Sequence, residues 1–163
     1  MKPINAILAC DDKGGIGKNN TLPWPHNSAD LQWFKNNTAG GVVIMGSATW
    51  NSKGMPKPLP NRRNVVITSR PEQFPGAHDY IETQVCEEIK VINNLADEDV
   101  WIIGGAAVIE QTLGIIDRFY LSRIPGDYEC DTFLPLRKIK TLFDLVLSHQ
   151  EDGVRFEVWE KKS

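Results

Sequence analysis

A chain of 163 residues with 41% hydrophobic and 24% charged residues has the composition of an ordinary globular protein, long enough to bury one continuous core, so residues 1–163 read as a single domain. The formal charge of −3 and the absence of any Lys/Arg run exclude a nucleic-acid footprint, so an anionic ligand has to be held by local groups. Cys10, Cys86 and Cys130 form no Cys-x-x-Cys pair and His26, His78 and His149 are scattered; this reads as free thiols in a reducing compartment and sets metal chemistry aside.

Ile4 to Cys10 is a short apolar run between Pro3 and the acidic pair Asp11-Asp12, which predicts a buried central strand. The run is too short for a signal segment or a membrane span, so a cytoplasmic protein without membrane association is expected. Asp11 to Pro23 carries Gly14, Gly15, Gly17 and a pair of asparagines, the composition of a long mobile loop of the kind that serves as a lid. Its Gly-Gly-Ile-Gly-Lys segment fails as a phosphate loop, because Asp12 and Asn19 stand where that motif needs Gly and Ser or Thr.

Leu22 to Thr38 is the most strongly marked stretch. Pro23 and Pro25 exclude regular structure around Trp24, and Asn27 or Ser28 can cap a helix whose apolar positions are Leu31, Trp33 and Phe34. Asp30 falls in the first turn, near the edge of that apolar stripe. Taken alone, an acidic residue there offsets the helix dipole on a solvated surface. The alternative is a carboxylate beside apolar neighbours that grips a ligand offering two parallel N–H donors.

Val42 to Gly46 predicts a second strand and Ser47 to Trp50 a short helix, a junction where backbone N–H groups can meet a phosphate. Ser52 to Arg63, with Pro56, Pro58 and Pro60, is a rigid surface loop whose Arg62 either pairs with a ligand carboxylate or is simply solvated. Asn64 to Arg70 is a third strand, stopped by Pro71, with Thr68, Ser69 and Arg70 at the carboxyl end where ligands of parallel sheets gather. Thr83 to Leu95 is an amphipathic crossover helix in which Cys86 serves packing. Val100 to Val108 runs as a strand through Gly104-Gly105 into a helix, without the full Gly-x-Gly-x-x-Gly fingerprint.

Arg118 to Ile124 alternates like an exposed-edge or half-buried strand, Asp131 to Pro135 makes a turn, and Phe143–His149 with Val154–Trp159 form an antiparallel hairpin. The fold class is therefore α/β in three layers: a central, mostly parallel mixed sheet of about eight strands with an antiparallel C-terminal hairpin, flanked by about four helices.

With these pieces in order, the chain resembles the dihydrofolate reductase family over essentially its whole length. The residues that carry the resemblance are Gly15-Ile16-Gly17 leading to Leu22-Pro23-Trp24, Asp30-Leu31 with Phe34-Lys35 and Thr38, Val43 to Gly46 with Thr49-Trp50, Pro58-Leu59-Pro60 with Arg62, Ile103 to Ala106, and Gly126 through Asp131-Thr132. The resemblance implies NADPH-dependent reduction of 7,8-dihydrofolate to 5,6,7,8-tetrahydrofolate, in support of one-carbon metabolism and thymidylate and purine synthesis. It implies a monomer whose partners are dihydrofolate and antifolate small molecules. Asp30, Trp24 and Ser122 would be the catalytic residues. Ile7, Leu8, Ala9, Leu31, Phe34, Leu59 and Ile103 would line the substrate, and Arg62 would hold its carboxylate tail. Ala9, Ile16 and Leu22 would border the cofactor's nicotinamide, Gly104, Gly105 and Ala106 its pyrophosphate, and Gly46, Ala48 and Thr49 the other phosphate side; Gly17, Ser47, Thr68, Ser69, Arg70, Ile103, Ala107, Val108 and Thr132 would also bind the cofactor.

The chain also departs from the family's pattern. Ser47 replaces a common Arg or Lys, leaving recognition of the cofactor's 2′-phosphate to Thr68, Ser69 and Arg70; Ile109 replaces a common Tyr, and Lys53 an apolar residue. The rival readings are a riboflavin-pathway reductase of the same fold, against which Asp30 and Arg62 argue, and a nonenzymatic nucleotide-binding protein.

Overall fold

In the computed structural model, which describes residues 2–25 and 27–163, the first apolar run forms β1 (Ile4–Cys10) and pairs parallel on both sides, with β6 (Val100–Gly104) and with β7 (Arg118–Arg123). His26 lies outside the described residues. Beyond β6 come β3 (Val42–Gly46), β4 (Arg63–Ile67) and β5 (Asp79–Ile81), all parallel; beyond β7 come β10 (Val154–Lys161) and β9 (Phe143–Glu151), both antiparallel. The eight-stranded order is β5-β4-β3-β6-β1-β7-β10-β9. A two-stranded ribbon, β2 (Gly15–Gly17) with β8 (Thr132–Phe133), stands apart from that sheet.

The near-continuous apolar runs follow from burial on both faces. Val42 and Ile44, Val100 and Ile102 point into one cluster with α3 (Val85–Leu95), α4 (Ala106–Thr112) and α5 (Leu136–Leu142). Val43 and Met45, Trp101 and Ile103 point into the other, against Trp33 and Phe34 of α1 (Ser28–Thr38) and Trp50 of α2 (Ser47–Trp50). Among the described residues no helix is long and apolar enough to cross a membrane.

Several expectations need correction. Among the described residues five α-helices flank the sheet, in keeping with the about four expected; the short α5 follows the region read only as a turn. Arg118–Arg123 is an interior strand, not an edge: β1 and β10 occupy both its sides. Its alternation misleads because Ser122 and Arg123 are polar where the strand runs into the site and the hairpin. The third strand ends at Ile67, where the Thr68 N–H closes the ladder by donating to Ile81 of the short edge strand β5. The crossover helix starts at Val85, after Gln84 takes φ +48°. The closing hairpin is longer than read, because Asp152 (φ +51°) and Gly153 (φ +80°) make the tight turn that such a pair favours.

Candidate active site

Asn27 caps α1 by accepting the Asp30 N–H at 2.9 Å, which fixes the first turn and sets Asp30 at the carboxyl-end edge of the sheet. Trp33 anchors the same helix, its ring 4.7 Å from Phe156 and 6.0 Å from Tyr120. Burial raises the Asp30 pKa above the ordinary carboxylate value. The Ser122 hydroxyl, buried on β7, opposes that rise, although it completes no hydrogen bond of strict geometry among the described residues. Register places Ser122 beside Ala9 and Tyr120 beside Ile7, so Ile7, Ala9 and Ser122 share the face that α1 covers. Ile103 joins them where the register of β6 against β3 slips by one residue.

At the other end of α1, Thr38 accepts from Arg62 Nη1 at 3.2 Å while Arg62 Nε donates to Pro60 at 2.9 Å, and the guanidinium lies 5.8 Å over the Phe34 ring. Burial lowers the Arg62 pKa, yet a guanidinium remains a cation at working pH. At the helical rise of about 1.5 Å per residue, the Asp30 and Thr38 positions lie roughly 12 Å apart along α1. A ligand spanning them needs N–H donors at one end and a carboxylate at the other.

Asn64, read from the sequence only as the start of a strand, is what holds the Arg62 loop. Fully buried, it accepts from Leu59 N–H at 2.9 Å and donates at 3.0 Å to the carbonyls of both Leu59 and Arg62. Asn between a proline-rich loop and an apolar run is the available signal, since its side chain can close loops on backbone groups.

Leu22, expected beside the nicotinamide, and Leu31, expected as a substrate wall, are 54% and 45% exposed, leaving apolar surface on the elements that flank Asp30. Leu8 does not join the substrate group: its side chain packs on the opposite face, against Gly104 and the other cluster. Trp24 is buried, edge-on to Tyr128 at 5.9 Å, and ties the end of the glycine-rich loop to the 124–130 segment.

That loop is held by carboxylates as well as by Trp24. Asp11 is fully buried; burial would raise its pKa, but N–H donors from Tyr128, Gly15 and Lys13 and the Cys130 thiol outweigh it and lower the value. Asp12 accepts from Gly126 N–H at 2.9 Å, and Asp131 accepts from Asn19 N–H at 2.9 Å. Ile16 and Gly17 therefore sit in a defined ribbon rather than in open coil, and Thr132 pairs with Gly17 there. An Asp between strand and Gly-rich loop is the sequence signal for such a clamp.

The second ligand region is made of backbone. At the carboxyl ends of β3 and β6, Gly46 and Gly105 lead into α2 and α4 without a side-chain cap. A Cβ on Gly46 would stand 2.9 Å from Val108 Cγ2, and Gly104 holds φ +116°, so the cradle excludes side chains at both positions. Thr49 Oγ1 lies 3.5 Å and 3.6 Å from where Cβ atoms on Gly104 and Gly105 would stand. Ser47, Ala48, Ala106 and Ala107 are small residues of the two first turns. Gly46 pairs with Ile67, which sets Thr68, Ser69 and the exposed Arg70 beside Ser47. Thr68 Oγ1 is taken by Arg70 N–H at 3.0 Å. Of the departures noted above, Ile109 is fully buried in the core and Lys53 is exposed.

A wall bearing Asp30 and Arg62 next to a glycine-built strand–helix junction is an arrangement suited to an α/β enzyme that brings two ligands side by side. A family model described as "Dihydrofolate reductase" matches residues 3–155. The chain is 36% identical over 137 residues to a dihydrofolate reductase of Bacillus subtilis (strain 168), covering 81% of this chain and 75% of that one. It is 32% identical over 185 residues to the dihydrofolate reductase of Rattus norvegicus, covering 99% of each. A solved structure, dihydrofolate reductase from Enterococcus faecalis complexed with NADP(H) and RAB-propyl, superposes with a TM-score of 0.82 at 29% identity, covering 99% of this chain and 97% of that one. The chain belongs to the dihydrofolate reductase family, whose members are oxidoreductases.

Proposed function

We propose that this protein reduces 7,8-dihydrofolate to 5,6,7,8-tetrahydrofolate with NADPH, acting as a monomer in the cytoplasm. The observation that carries the reading is α1 itself, with the Asp30 carboxyl at its start and Arg62 held on Thr38 at its end. A pterin ring offers paired N–H donors to the first, and the glutamate carboxylate pairs with the second.

NADPH, when bound, supplies the hydride that reduces the pterin ring. The glycine cradle of Gly46, Gly104 and Gly105 fits its phosphates, since those positions leave backbone N–H groups open to close approach. Thr68, Ser69 and Arg70 take the 2′-phosphate in place of a basic residue at Ser47, a role for which the exposed Arg70 is placed. Asp30 accepts the paired N–H donors of the pterin and so favours protonation of the adjacent ring nitrogen, while burial holds its own pKa above the ordinary carboxylate value. Ile7, Ala9, Phe34 and Ile103 supply the apolar wall, and the β2 ribbon with Trp24 closes over the ring and excludes water. Antifolates with amidine-like edges compete for the same carboxylate.

The test follows nicotinamide absorbance with purified protein. NADPH oxidation that requires dihydrofolate is the expected result. Folded protein without turnover would overturn the enzyme reading, and turnover only with a ribosylaminopyrimidine would overturn the substrate. Arg70→Ala is expected to weaken NADPH far more than NADH, as measured by the two KM values; equal losses would remove Arg70 from 2′-phosphate recognition.

A further inference from the structure

A second polar concavity lies across the sheet from Asp30, where α5 covers the C-terminal hairpin. It has a volume of about 290 Å³ and is lined by Arg123 of β7, Lys140 of α5, Ser148 of β9, and Arg155, Glu157 and Trp159 of β10, with Leu145 at its edge. That volume is at the lower end of the roughly 300–1,000 Å³ typical of small-molecule sites.

Glu157 explains only part of the charge. It is 3% exposed and already satisfied: Arg155 Nε donates to it at 2.8 Å and Trp159 Nε1 at 3.1 Å, with Arg123 Nη1 at 3.6 Å. A buried carboxylate needs one cation to balance it. Three cations share this space, so the wall carries an excess of two positive charges. Among the described residues Lys140 has no carboxylate partner, and Arg123 Nε is buried without any hydrogen-bond acceptor. A buried guanidinium N–H left unpaired is costly, so the site is short of an acceptor as well as of negative charge.

We propose that the concavity between Arg123, Lys140 and Arg155 binds a phosphate monoester. Its dianion matches the excess charge, its terminal oxygens accept from both guanidinium forks and from the Lys140 ammonium, and the Ser148 hydroxyl donates to it. A single carboxylate would leave one positive charge unmatched. The Trp159 ring and Leu145 form an apolar wall that an organic substituent covers and bare phosphate does not. Because successive side chains of β7 face opposite sides, Arg123 points away from the face that Ser122 shares with Asp30, and the ligand does not overlap the reductase site.

The experiment uses the full chain with NADPH at saturation, so that the cofactor's phosphates fill their own cradle. The indole N–H signal of Trp159 is followed by ¹H–¹⁵N NMR while phenyl phosphate, inorganic phosphate or chloride is titrated at constant ionic strength. The expected result is a saturable shift with phenyl phosphate, a weaker one with inorganic phosphate and none with chloride. Lys140→Gln, at an exposed position without a partner, is expected to weaken phenyl phosphate at least tenfold, and Arg123→Gln to abolish the shift, with the other tryptophan signals in place as evidence of folding. No saturable shift in the native protein, or an undiminished one in Lys140→Gln, would overturn the site. Equal affinity for the two phosphates would overturn its assignment to an ester.

Discussion

Asp11 and Asp30 are both acidic residues at the carboxyl end of the same sheet, and burial pushes both carboxyls upward, yet Asp11 is the stronger acid. Asp11 has no exposed surface, yet its pKa is lowered; Asp30 is half-buried, and its pKa is raised. Donors make the difference. Asp11 accepts N–H groups from Lys13, Gly15 and Tyr128 and has the Cys130 thiol 3.5 Å away, whereas among the described residues Asp30 has only the imperfectly aligned Ser122 hydroxyl. A carboxylate with every lone pair taken is a structural clamp, and one that is starved of donors is ready for a ligand.

The contrast is broken most severely at Asp30. Asp30→Asn is expected to lower kcat/KM for dihydrofolate by about a hundredfold or more near neutral pH, because an amide does not carry the charge that favours protonation of the ring. Its folding runs the other way. A carboxyl with a raised folded-state pKa contributes stability below the ordinary value of about 3.9, and that contribution is lost as pH rises through the folded value. At neutral pH Asp30→Asn is therefore expected to melt no lower than the native protein, and a clear drop in Tm would contradict the donor-poor picture.

Asp11→Asn is expected to do the reverse. One acceptor oxygen becomes a donor facing the Tyr128 N–H, at a cost of roughly 1–3 kcal/mol, read by urea denaturation. Since the folded-state pKa is lowered, this contribution is present above about pH 3.9 and is lost as pH falls through the folded value, so native and variant stabilities should converge in acid. Persistence of the full difference at low pH would mean that charge plays no part in the clamp. The smallest effect belongs to Ser122→Ala. Removing the one group that holds Asp30 down should move the pH at which the rate declines upward, with little loss of rate at low pH. A downward move would show that Ser122 acts on something other than Asp30.

The sequence makes the sheet and the substrate side legible for a simple reason: apolar runs and charged residues at odd places are visible as residue types. Asp30 and Arg62 stand out because nothing local requires a carboxylate beside an apolar stripe or an arginine on a proline-rich loop. Backbone and pairing are harder to see. The interior position of Arg118–Arg123 depends on strands that arrive from both ends of the chain, and α5 is too short and too poorly capped to announce itself. Asn64 and Asp11 were hidden because their partners are main-chain groups, and a sequence does not display main-chain groups. The resemblance groups Leu8 with Ile7 and Ala9, but successive side chains of a strand face opposite sides, so Leu8 packs with the other cluster.

The position of β1 also bears on how the chain is made. This strand is translated long before its neighbours, Val100–Ile102 on one side and Arg118–Arg123 on the other. For most of synthesis its amides and carbonyls have no native partner, and such separation in sequence slows folding. The glycine-rich segment, the Asp30 helix and the Arg62 loop are all translated before the strand that carries Ser122 exists. A nascent chain cut short before Arg118 would keep an open apolar strand edge at the heart of its sheet.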